Sequence, residues 1–430
     1  MSDLLTELTA RHLVADVTDT KGLGELFATS MVSLYAGYDP TSSSLHVGNL
    51  VPVILQARLQ RAGHRPIIVV GGATGMIGDP SGKSDERNLL TPDALQENLA
   101  GIRAQLGTLL DFGDGSSAKG NAAVMANNAD WFASVGYLQF LRDVGKHLTI
   151  NYMMGKDSVR SRLEERDSGI SYTEFSYMLL QAYDFVHLSK AYDCRLQVGG
   201  SDQWGNITAG CELSRKLGGA QLFGLTAPLL LDAAGQKMGK TSTGERVWLD
   251  PARTSPYAFY QYWLNVSDED APRLLRLFSF TALPELAELN LAHDADRGKR
   301  IAQRELARTM TQWIHGDAAL RHVEAATAVM FGGSLDGMTE DDLAALQGTM
   351  PVVEIARHEL TSGISISDFL ARTLSKSKSA ARTLLAQGGA YINNQRISDA
   401  DLIVTVSHLA TASWMVVRGG KKDYRLVRAV

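Results

Sequence analysis

Short apolar runs alternate with longer amphipathic stretches between residue 31 and about residue 235. The short runs predict buried strands at residues 31–38, 66–72, 122–127 and 195–198. In the longer stretches apolar side chains recur every three or four positions, which predicts helices at residues 47–62, 92–110, 137–146, 172–188 and 203–217. Strands that alternate with helices predict a parallel sheet covered by helices on both faces.

The pattern changes twice after this region. Amphipathic helical patterns without a strand signal run from residue 255 to about residue 331, and a glycine-containing stretch that indicates a linker follows. Two helical patterns, at residues 366–374 and 379–387, then precede four short apolar runs. The predicted fold class is α/β, with a Rossmann-like parallel-sheet domain at 1–248, an α-helical domain at 249–331, a linker at 332–362 and a small α+β domain at 363–430.

Composition is that of an ordinary globular protein, with 45% hydrophobic and 21% charged residues. No apolar run reaches the ~18–20 residues of a membrane span, and the first residues resemble no export or organelle presequence, so a cytoplasmic protein is expected. Cys194 and Cys211 match no zinc spacing, which favours two buried thiols over a disulfide.

Charge is distributed unevenly along the chain. Residues 363–430 contain ten Lys or Arg and four Asp and carry a net charge of +6, whereas the remainder carries −11. A basic terminal domain on an acidic body suits an anionic macromolecule, although a solvated surface explains the charge equally well.

Two short segments about 190 residues apart carry candidate chemistry. A helix is predicted to begin at His46 directly after a strand, which would present unpaired N–H groups and a positive dipole end to an anion, with Thr41 nearby. The second segment is a loop with two cations, Lys237 and Lys240. Two mobile cations opposite a helix N-terminus suit a triphosphate whose charge redistributes during a reaction.

Two further patterns are ambiguous when taken alone. The glycine-rich stretch at residues 71–84 is not a P-loop, because the position that requires glycine holds Ile77. Tyr177, Gln181 and Asp184 lie at i, i+4 and i+7 of a predicted helix and therefore share one face. That face either meets water or lines a ligand site.

His46-Val47-Gly48-Asn49 and Lys237-Met238-Gly239-Lys240-Thr241 resemble the two signatures of class I aminoacyl-tRNA synthetases, His-x-Gly-His and Lys-Met-Ser-Lys-Ser. Asn49, Gly239 and Thr241 depart from those signatures, whereas both lysines are present. Segments 35–41, 78–83, 177–184 and 197–206 resemble bacterial tyrosyl-tRNA synthetases in particular. The resemblance extends to a C-terminal RNA-binding module like that of a small-subunit ribosomal protein.

The resemblance implies that tyrosine and ATP form tyrosyl-adenylate and pyrophosphate, and that tRNA then accepts the tyrosyl group. It implies catalytic roles for Thr41, His46, Lys237 and Lys240. The tyrosine site would consist of Tyr35, Asp79, Tyr177, Gln181, Asp184 and Gln203. The ATP site would consist of Asp39, Thr41, His46, Gly48, Asn49, Gly199, Asp202, Lys237 and Lys240.

The remaining partners are assigned from the resemblance together with the positions of basic residues. Lys83 and Arg87 are second-rank candidates for pyrophosphate contact, and RNA contact is expected from Lys376, Lys378, Arg382, Lys421 and Lys422. Mg²⁺ would arrive with ATP, and no protein-bound metal is expected. Residues 128–170 would form a homodimer interface.

Three alternatives compete with this interpretation. A nucleotidyl-transferring ligase without an RNA substrate would lack the basic C-terminal domain. A non-catalytic RNA-binding relative would not need Lys237, Lys240, His46 and Asp79. A tryptophan-specific synthetase is the nearest alternative, but Tyr35 with Asp184 suits a phenol better than an indole.

Overall fold

A computed structural model describes residues 4–79, 91–113, 120–164, 170–241, 243–348, 350–420 and 423–430. The helices are α1 (Leu4–Ala10), α2 (Thr20–Thr29), α3 (Leu50–Arg61), α4 (Pro92–Leu109), α5 (Ala129–Phe132), α6 (Tyr137–Asp143), α7 (Ile150–Met154), α8 (Asp157–Glu164), α9 (Tyr172–Tyr192), α10 (Trp204–Lys216), α11 (Pro256–Leu264), α12 (Asp270–Phe278), α13 (Leu283–Ala295), α14 (Ile301–Met330), α15 (Glu340–Ala344), α16 (Arg357–Ser362), α17 (Ile366–Thr373) and α18 (Lys378–Ala386). The strands are β1 (Asp16–Val17), β2 (Ser33–Tyr38), β3 (Arg65–Val70), β4 (Val124–Asn127), β5 (Cys194–Gly200), β6 (Phe223–Ala227), β7 (Val352–Ile355), β8 (Ile364–Ser365), β9 (Ala390–Ile392), β10 (Gln395–Arg396), β11 (Ile403–Val404), β12 (Trp414–Gly419) and β13 (Asp423–Ala429).

The chain packs into two units, one of residues 1–253 and 265–306 and the other of residues 254–264 and 307–430. Among the described residues, no helix is long and apolar enough to cross a membrane.

The first unit is built on a six-stranded sheet with the order β1-β6-β5-β2-β3-β4. Strands β2 to β6 run parallel, and β1 pairs with β6 in the antiparallel sense. The apolar run of β3 is buried at every position after Arg65, as expected for a parallel strand covered on both faces. Because the strands are parallel, the segments that follow Tyr38, Val70, Asn127 and Gly200 all leave the same edge of the sheet.

Helix α9 contributes the central polar face next to this edge. Ser171 and Glu174 form a capping box that fixes its first turn, and Asp193 ends it in the left-handed conformation with φ of 49°. Phe185 and Leu188 of α9 pack in one core with Tyr35 of β2. The helix is therefore held against the sheet at the level of the residues predicted to bind a ligand.

The second unit contains a five-stranded sheet with the order β10-β9-β12-β13-β7 and a separate β8–β11 pair. Strand β12 alternates between two cores. Met415 and Val417 face the core that contains α17 and α18, whereas Trp414 and Val416 face the core that contains the end of α14 and α15. The α/β class, with a helical region and a C-terminal α+β region, is confirmed.

Several predicted elements differ from the observed ones. The structure adds β1 and β6 to the first sheet, and β1 separates the two helices α1 and α2 that precede β2. The predicted linker of residues 332–362 contains α15, β7 and α16. Strand β7 pairs in parallel with β13, so this stretch belongs to the C-terminal sheet.

Candidate active site

The carboxyl edge of the first sheet encloses a cavity of about 350 Å³. It lies where ligands bind in open parallel sheets, just beyond the strand ends. The predicted site residues that line it are Tyr35, Asp39, Thr41, His46, Gly48, Asn49, Asp79, Tyr177, Gln181, Asp184, Gly199, Asp202 and Gln203. The shared face predicted from the spacing of Tyr177, Gln181 and Asp184 is therefore directed into a cavity.

The deep end of the cavity contains Tyr35 and Asp184, which are 1% and 3% exposed. The Tyr35 hydroxyl has no hydrogen-bond partner among the described residues, and burial with the nearby Asp184 carboxylate raises its pKa well above the usual value. Asp184 accepts hydrogen bonds from Trp131 Nε1 at 2.8 Å and Asn128 Nδ2 at 3.1 Å. Burial raises the pKa of Asp184 to about 7, although these two bonds act in the opposite direction.

A group of amides and carboxylates occupies the neighbouring wall. Gln203 Nε2 donates to Asp79 Oδ2 at 2.6 Å, and Gln181 Nε2 donates to Gln203 Oε1 at 3.2 Å. Gln181 Oε1 is buried without a partner among the described residues. The Tyr177 hydroxyl donates to Asp39 at 3.3 Å. This wall offers several acceptors to a cationic group such as an ammonium.

The segment that contains the first signature also lines the cavity. His46 Nδ1 accepts from the Gly48 N–H at 3.0 Å, and the His46 N–H donates to Asn49 Oδ1 at 3.0 Å. The two side chains form a capping box around the short 3₁₀ turn Val47–Asn49 that precedes α3. Asn49 therefore has a local structural role in this chain.

The second signature lies on two consecutive hairpins beside the first. In the first hairpin Leu231 pairs with Lys237, and in the second Lys240 pairs with Arg246. The second hairpin reaches the first signature through the Val47 N–H, which donates to Val247 O at 3.0 Å. Lys237 and Lys240 are exposed and do not line the cavity. Arg246, which pairs with Lys240, does line the cavity, so the second hairpin borders it.

Gly239 is one of the departures from the second signature, and the backbone at this position favours glycine. Its φ of 111° disfavours any residue with a side chain, and a Cβ added there would lie 3.1 Å from the Gly48 nitrogen. The close approach of the hairpin to Gly48 therefore depends on a glycine at this position.

Asp202, one of the residues predicted to bind ATP, follows strand β5 and lines the cavity. Burial and the Asp79 carboxylate raise its pKa, while the positive charge of Lys237 acts in the opposite direction. Lys237 is thus close enough to act electrostatically on the cavity although it does not line it.

The remaining predicted residues include several that the structure does not describe. Lys83 and Arg87, and likewise Lys421 and Lys422, lie outside the described residues. Of the predicted RNA-binding residues in the second unit, Lys376 pairs with Asp423 at 3.6 Å, Lys378 pairs with Asp368, and Arg382 is exposed. Among the described residues, no group of three or more His, Cys, Asp or Glu could hold a metal ion.

The sequence analysis missed further residues at the site, among them Asn128, Trp131, Gln197 and Arg246. Asn128 directly follows β4 at the ligand edge of the sheet, which is a signal that could have identified it. Trp131 lies one helical turn further along, and nothing in its local sequence links it to Asp184.

Comparison with known proteins identifies the family and the fold. A family model described as tRNA synthetases class I (W and Y) matches residues 28–332. A second model, described as the tyrosine–tRNA ligase SYY-like C-terminal domain, matches residues 342–427. The α/β fold with its two signature segments is that of a class I aminoacyl-tRNA synthetase.

Individual relatives show to which family within this class the chain belongs. The tyrosine–tRNA ligase of Rhodopirellula baltica is 49% identical over 430 residues, 99% of this chain and 96% of the relative. The tyrosine–tRNA ligase of Roseiflexus castenholzii is 46% identical over 432 residues, and the match covers 100% of both chains. A C-terminally truncated mitochondrial tyrosyl-tRNA synthetase of Aspergillus nidulans is 30% identical, with a TM-score of 0.68 over 77% of this chain and 95% of that chain. The chain belongs to the tyrosine–tRNA ligase family, and the resemblance seen in the sequence is confirmed.

Proposed function

We propose that the cavity at the carboxyl edge of the first sheet is where this tyrosine–tRNA ligase forms tyrosyl-adenylate. The observation that carries the assignment is the buried Tyr35 hydroxyl, without a described partner, beside the buried Asp184 carboxylate. Buried polar groups are stable only when they are hydrogen-bonded. A bound phenol hydroxyl would accept from the Tyr35 hydroxyl, which lacks a described partner, and would donate to the Asp184 carboxylate in addition to the two bonds it already accepts.

The other walls fit the rest of the substrate. The tyrosine ammonium would be bound by Asp79, Tyr177 and Gln181, and Gln203 would donate to the carboxylate. The acceptors in this wall suit a group with three N–H donors. ATP would extend from Gly199 and Asp202 towards the first signature, with Asp39, Thr41, His46, Gly48 and Asn49 at the phosphate end. This arrangement sets the tyrosine carboxylate against the α-phosphate.

The chemistry proceeds in two steps. A tyrosine carboxylate oxygen attacks the α-phosphorus of ATP, and the bond from that phosphorus to the β-phosphate oxygen breaks, releasing pyrophosphate. The carboxylate is already ionised at pH 7, so this step requires no general base. A hydroxyl of the terminal tRNA ribose then attacks the tyrosyl carbonyl carbon and loses its proton, and AMP leaves.

Catalysis of the first step would come from positioning and charge stabilisation. Lys237 and Lys240 would close on the phosphates from the adjacent hairpins, opposite Thr41 and His46. Lys83 and Arg87 are proposed to contact pyrophosphate. We infer that Mg²⁺ enters with ATP as part of the substrate.

RNA contact is proposed for the C-terminal sheet and its two helices. Lys376 and Lys378 pair with single carboxylates on the surface, and such exposed pairs are weak enough for phosphates to displace. Arg382 lies on α18, as does Lys378. Lys421 and Lys422 are the other two residues proposed to contact RNA. Binding through these residues would weaken as salt rises.

We also infer that the chain acts as a homodimer. Large apolar or aromatic side chains between residues 137 and 172 are 41–79% exposed, which is unfavourable in a monomer: Tyr137, Leu138, Ile150, Met154, Leu163 and Tyr172. A second copy covering this surface would bury them, in agreement with the interface expected at residues 128–170. The cytoplasm, where tRNA is charged for translation, is the proposed compartment.

ATP–pyrophosphate exchange with each of the twenty amino acids tests the site assignment. Wild-type exchange should depend on tyrosine, and Asp79→Asn should raise the tyrosine concentration needed by at least tenfold, since a charge-assisted bond to the ammonium is lost. Exchange by Asp79→Asn with an unchanged tyrosine KM would contradict the placement of the ammonium.

A further inference from the structure

Helix α12 holds the hairpin that carries the first lysine of the second signature. The Asp270 carboxylate accepts a hydrogen bond from the Ala233 N–H at 3.2 Å. Arg273, one turn later, donates through Nη2 to the Leu231 carbonyl at 2.5 Å. Both contacts are to the backbone of the hairpin, so they fix its path without depending on its side chains.

The two holding residues are themselves fixed. Arg273 Nη2 also donates to Asp270 Oδ1 at 2.7 Å, and Ser267 Oγ donates to Asp270 Oδ2 at 2.8 Å. The Asp270 side chain is only 6% exposed, and these bonds keep its pKa below the usual value despite the opposing effect of burial. A largely buried, ionised carboxylate with several donors has little freedom to move.

The contacts of Asp270 and Arg273 with the hairpin affect the position of Lys237 through backbone pairing within the hairpin. Leu231, whose carbonyl is bound by Arg273, lies directly opposite Lys237 in the hairpin. The Met238 N–H donates to Leu230 O at 2.9 Å, and Asp232 closes the turn by accepting from the N–H groups of Ala234 and Gln236. A shift of Leu231 therefore moves the backbone of Lys237 with it.

We propose that Asp270 and Arg273 are positioning residues that set the location of Lys237 for adenylate formation. The proposal rests on the proposed role of Lys237 at the phosphates. Neither residue lines the cavity, so they act through the hairpin and not on the substrate. Their loss should slow the chemical step and leave tyrosine binding unchanged, because Lys237 stabilises charge that develops only in the transition state.

A double-mutant cycle tests the proposal in the full-length protein, with single-turnover formation of tyrosyl-adenylate as the readout. Arg273→Gln should slow this step by about 10- to 30-fold in the wild-type background, the scale of one lost charge-assisted hydrogen bond. In the Lys237→Ala background the same substitution should slow it less than threefold, because the group that it positions is already absent. Arg273→Lys, which keeps a cationic donor, should recover part of the rate.

A control separates this effect from the loss of any surface ion pair. Arg215 forms a pair of the same i, i+3 type with Glu212 at 2.8 Å in the last turn of α10. Arg215→Gln should leave the adenylate rate within twofold of wild type. Tyrosine affinity and the melting temperature should be measured for every variant, and Asp270→Asn replaces Arg273→Gln if the latter melts below the assay temperature.

The outcomes distinguish the two proposals. If Lys237→Ala alone leaves the rate within threefold of wild type, the proposed function of Lys237 is wrong. If Lys237→Ala slows the reaction but Arg273→Gln slows it equally in both backgrounds, or in neither, the positioning proposal is overturned while the role of Lys237 stands.

Discussion

Tyr35 has a buried hydroxyl for which the described residues provide no hydrogen bond, and that single group should set much of the preference for tyrosine. Phenylalanine in the same cavity would leave both this hydroxyl and the Asp184 carboxylate without a ligand partner. The cost of burying such groups unpaired exceeds the benefit of the bonds when they are made. Selectivity therefore arises from what the wrong substrate leaves unsatisfied.

Replacing Tyr35 by Phe should reduce the preference for tyrosine over phenylalanine by about tenfold, the scale of one neutral hydrogen bond. The measurement is the ratio of kcat/KM for the two amino acids in pyrophosphate exchange. Tyr38→Phe is the matched control, because the Tyr38 hydroxyl donates to Gln56 at 2.7 Å and is not available to a phenol. An unchanged ratio for Tyr35→Phe would remove Tyr35 from the tyrosine site.

Asp184 should also make stability depend on pH. Its pKa is about 7 in the fold, against ~3.9 in an unfolded chain, so the folded state holds the proton more tightly. The free energy of unfolding should therefore fall as pH rises from about 4 to about 7, by up to ~4 kcal/mol if no other group compensates.

Asp184→Asn removes this titration. Relative to wild type, the variant should gain stability between pH 5 and pH 8 in denaturant unfolding without substrate. Asp130→Asn, at an exposed position on the neighbouring helix α5, is the control and should show no such trend. A constant difference between Asp184→Asn and wild type at all pH values would show that Asp184 does not titrate in this range.

The sequence predicted one side of this pocket better than the other. Tyr177, Gln181 and Asp184 lie on one helix, so their spacing alone placed them on a shared face. Asn128 and Trp131 reach Asp184 from 56 and 53 positions away along the chain. Such contacts depend on how β4 pairs with β3, which no local pattern encodes.

At the scale of elements, the second signature depends on the approach of its hairpin to the turn at Gly48. A Cβ on Gly239 would both strain a backbone with φ of 111° and press on the Gly48 nitrogen at 3.1 Å. Gly244, in the same loop, has φ of 87° but open space where its Cβ would be. Substitutions at these two glycines therefore distinguish the effect of backbone strain from the effect of steric contact.

Gly239→Ala should slow adenylate formation by about 10- to 100-fold, since strain of ~1–3 kcal/mol adds to displacement of Lys237 and Lys240. Gly244→Ala should slow it by less, because only the strain is present. The two variants are compared by stopped-flow measurement of adenylate formation, and their tyrosine affinities are measured separately. Equal effects of the two substitutions would mean that the contact with Gly48 does not position the loop.

Helices and strands were predicted correctly from the sequence where a segment is long and periodic. Strands that exist only because they pair with a neighbouring strand were missed. Helix α9 and strand β3 were evident from local pattern. Strand β1 has only two residues and exists because it pairs with β6, where the Asp16 N–H donates to Thr226 Oγ1 at 3.1 Å. Strand β6 is short and contains Gly224, so its burial at every position was not visible in the sequence.

At the scale of the whole molecule, the packing of the C-terminal part changes where the chain can be divided. Strand β7 pairs with β13, which lies more than 70 residues later, and Leu343 and Leu346 pack in one core with Trp414 and Leu426. The glycines of residues 332–362 suggested a linker. The pairing of β7 with β13 cannot be seen in the local sequence, because the two strands are far apart along the chain. A cut at residue 363 would therefore split a core.

Two truncated chains test this division. A chain that ends at residue 362 keeps α15, β7 and α16 but loses the strands that cover them, so it should bind a hydrophobic dye and aggregate. A chain that ends at residue 333 lacks those elements and uncovers only the end of α14 from the same core, so it should aggregate less and bind less dye. Light scattering and dye fluorescence at equal concentration compare the two.

The shorter chain should also separate the two reactions. All the proposed adenylation residues precede Thr241, so tyrosine-dependent pyrophosphate exchange should stay within about threefold of wild type. Charging of tRNA should fall at least tenfold through weaker binding, and the salt dependence of that binding should flatten, because the basic C-terminal residues that would contact phosphates are absent. Charging at the wild-type rate would show that the C-terminal sheet is not the main RNA-binding element. Loss of exchange would show instead that residues after 333 support the fold of the adenylation site.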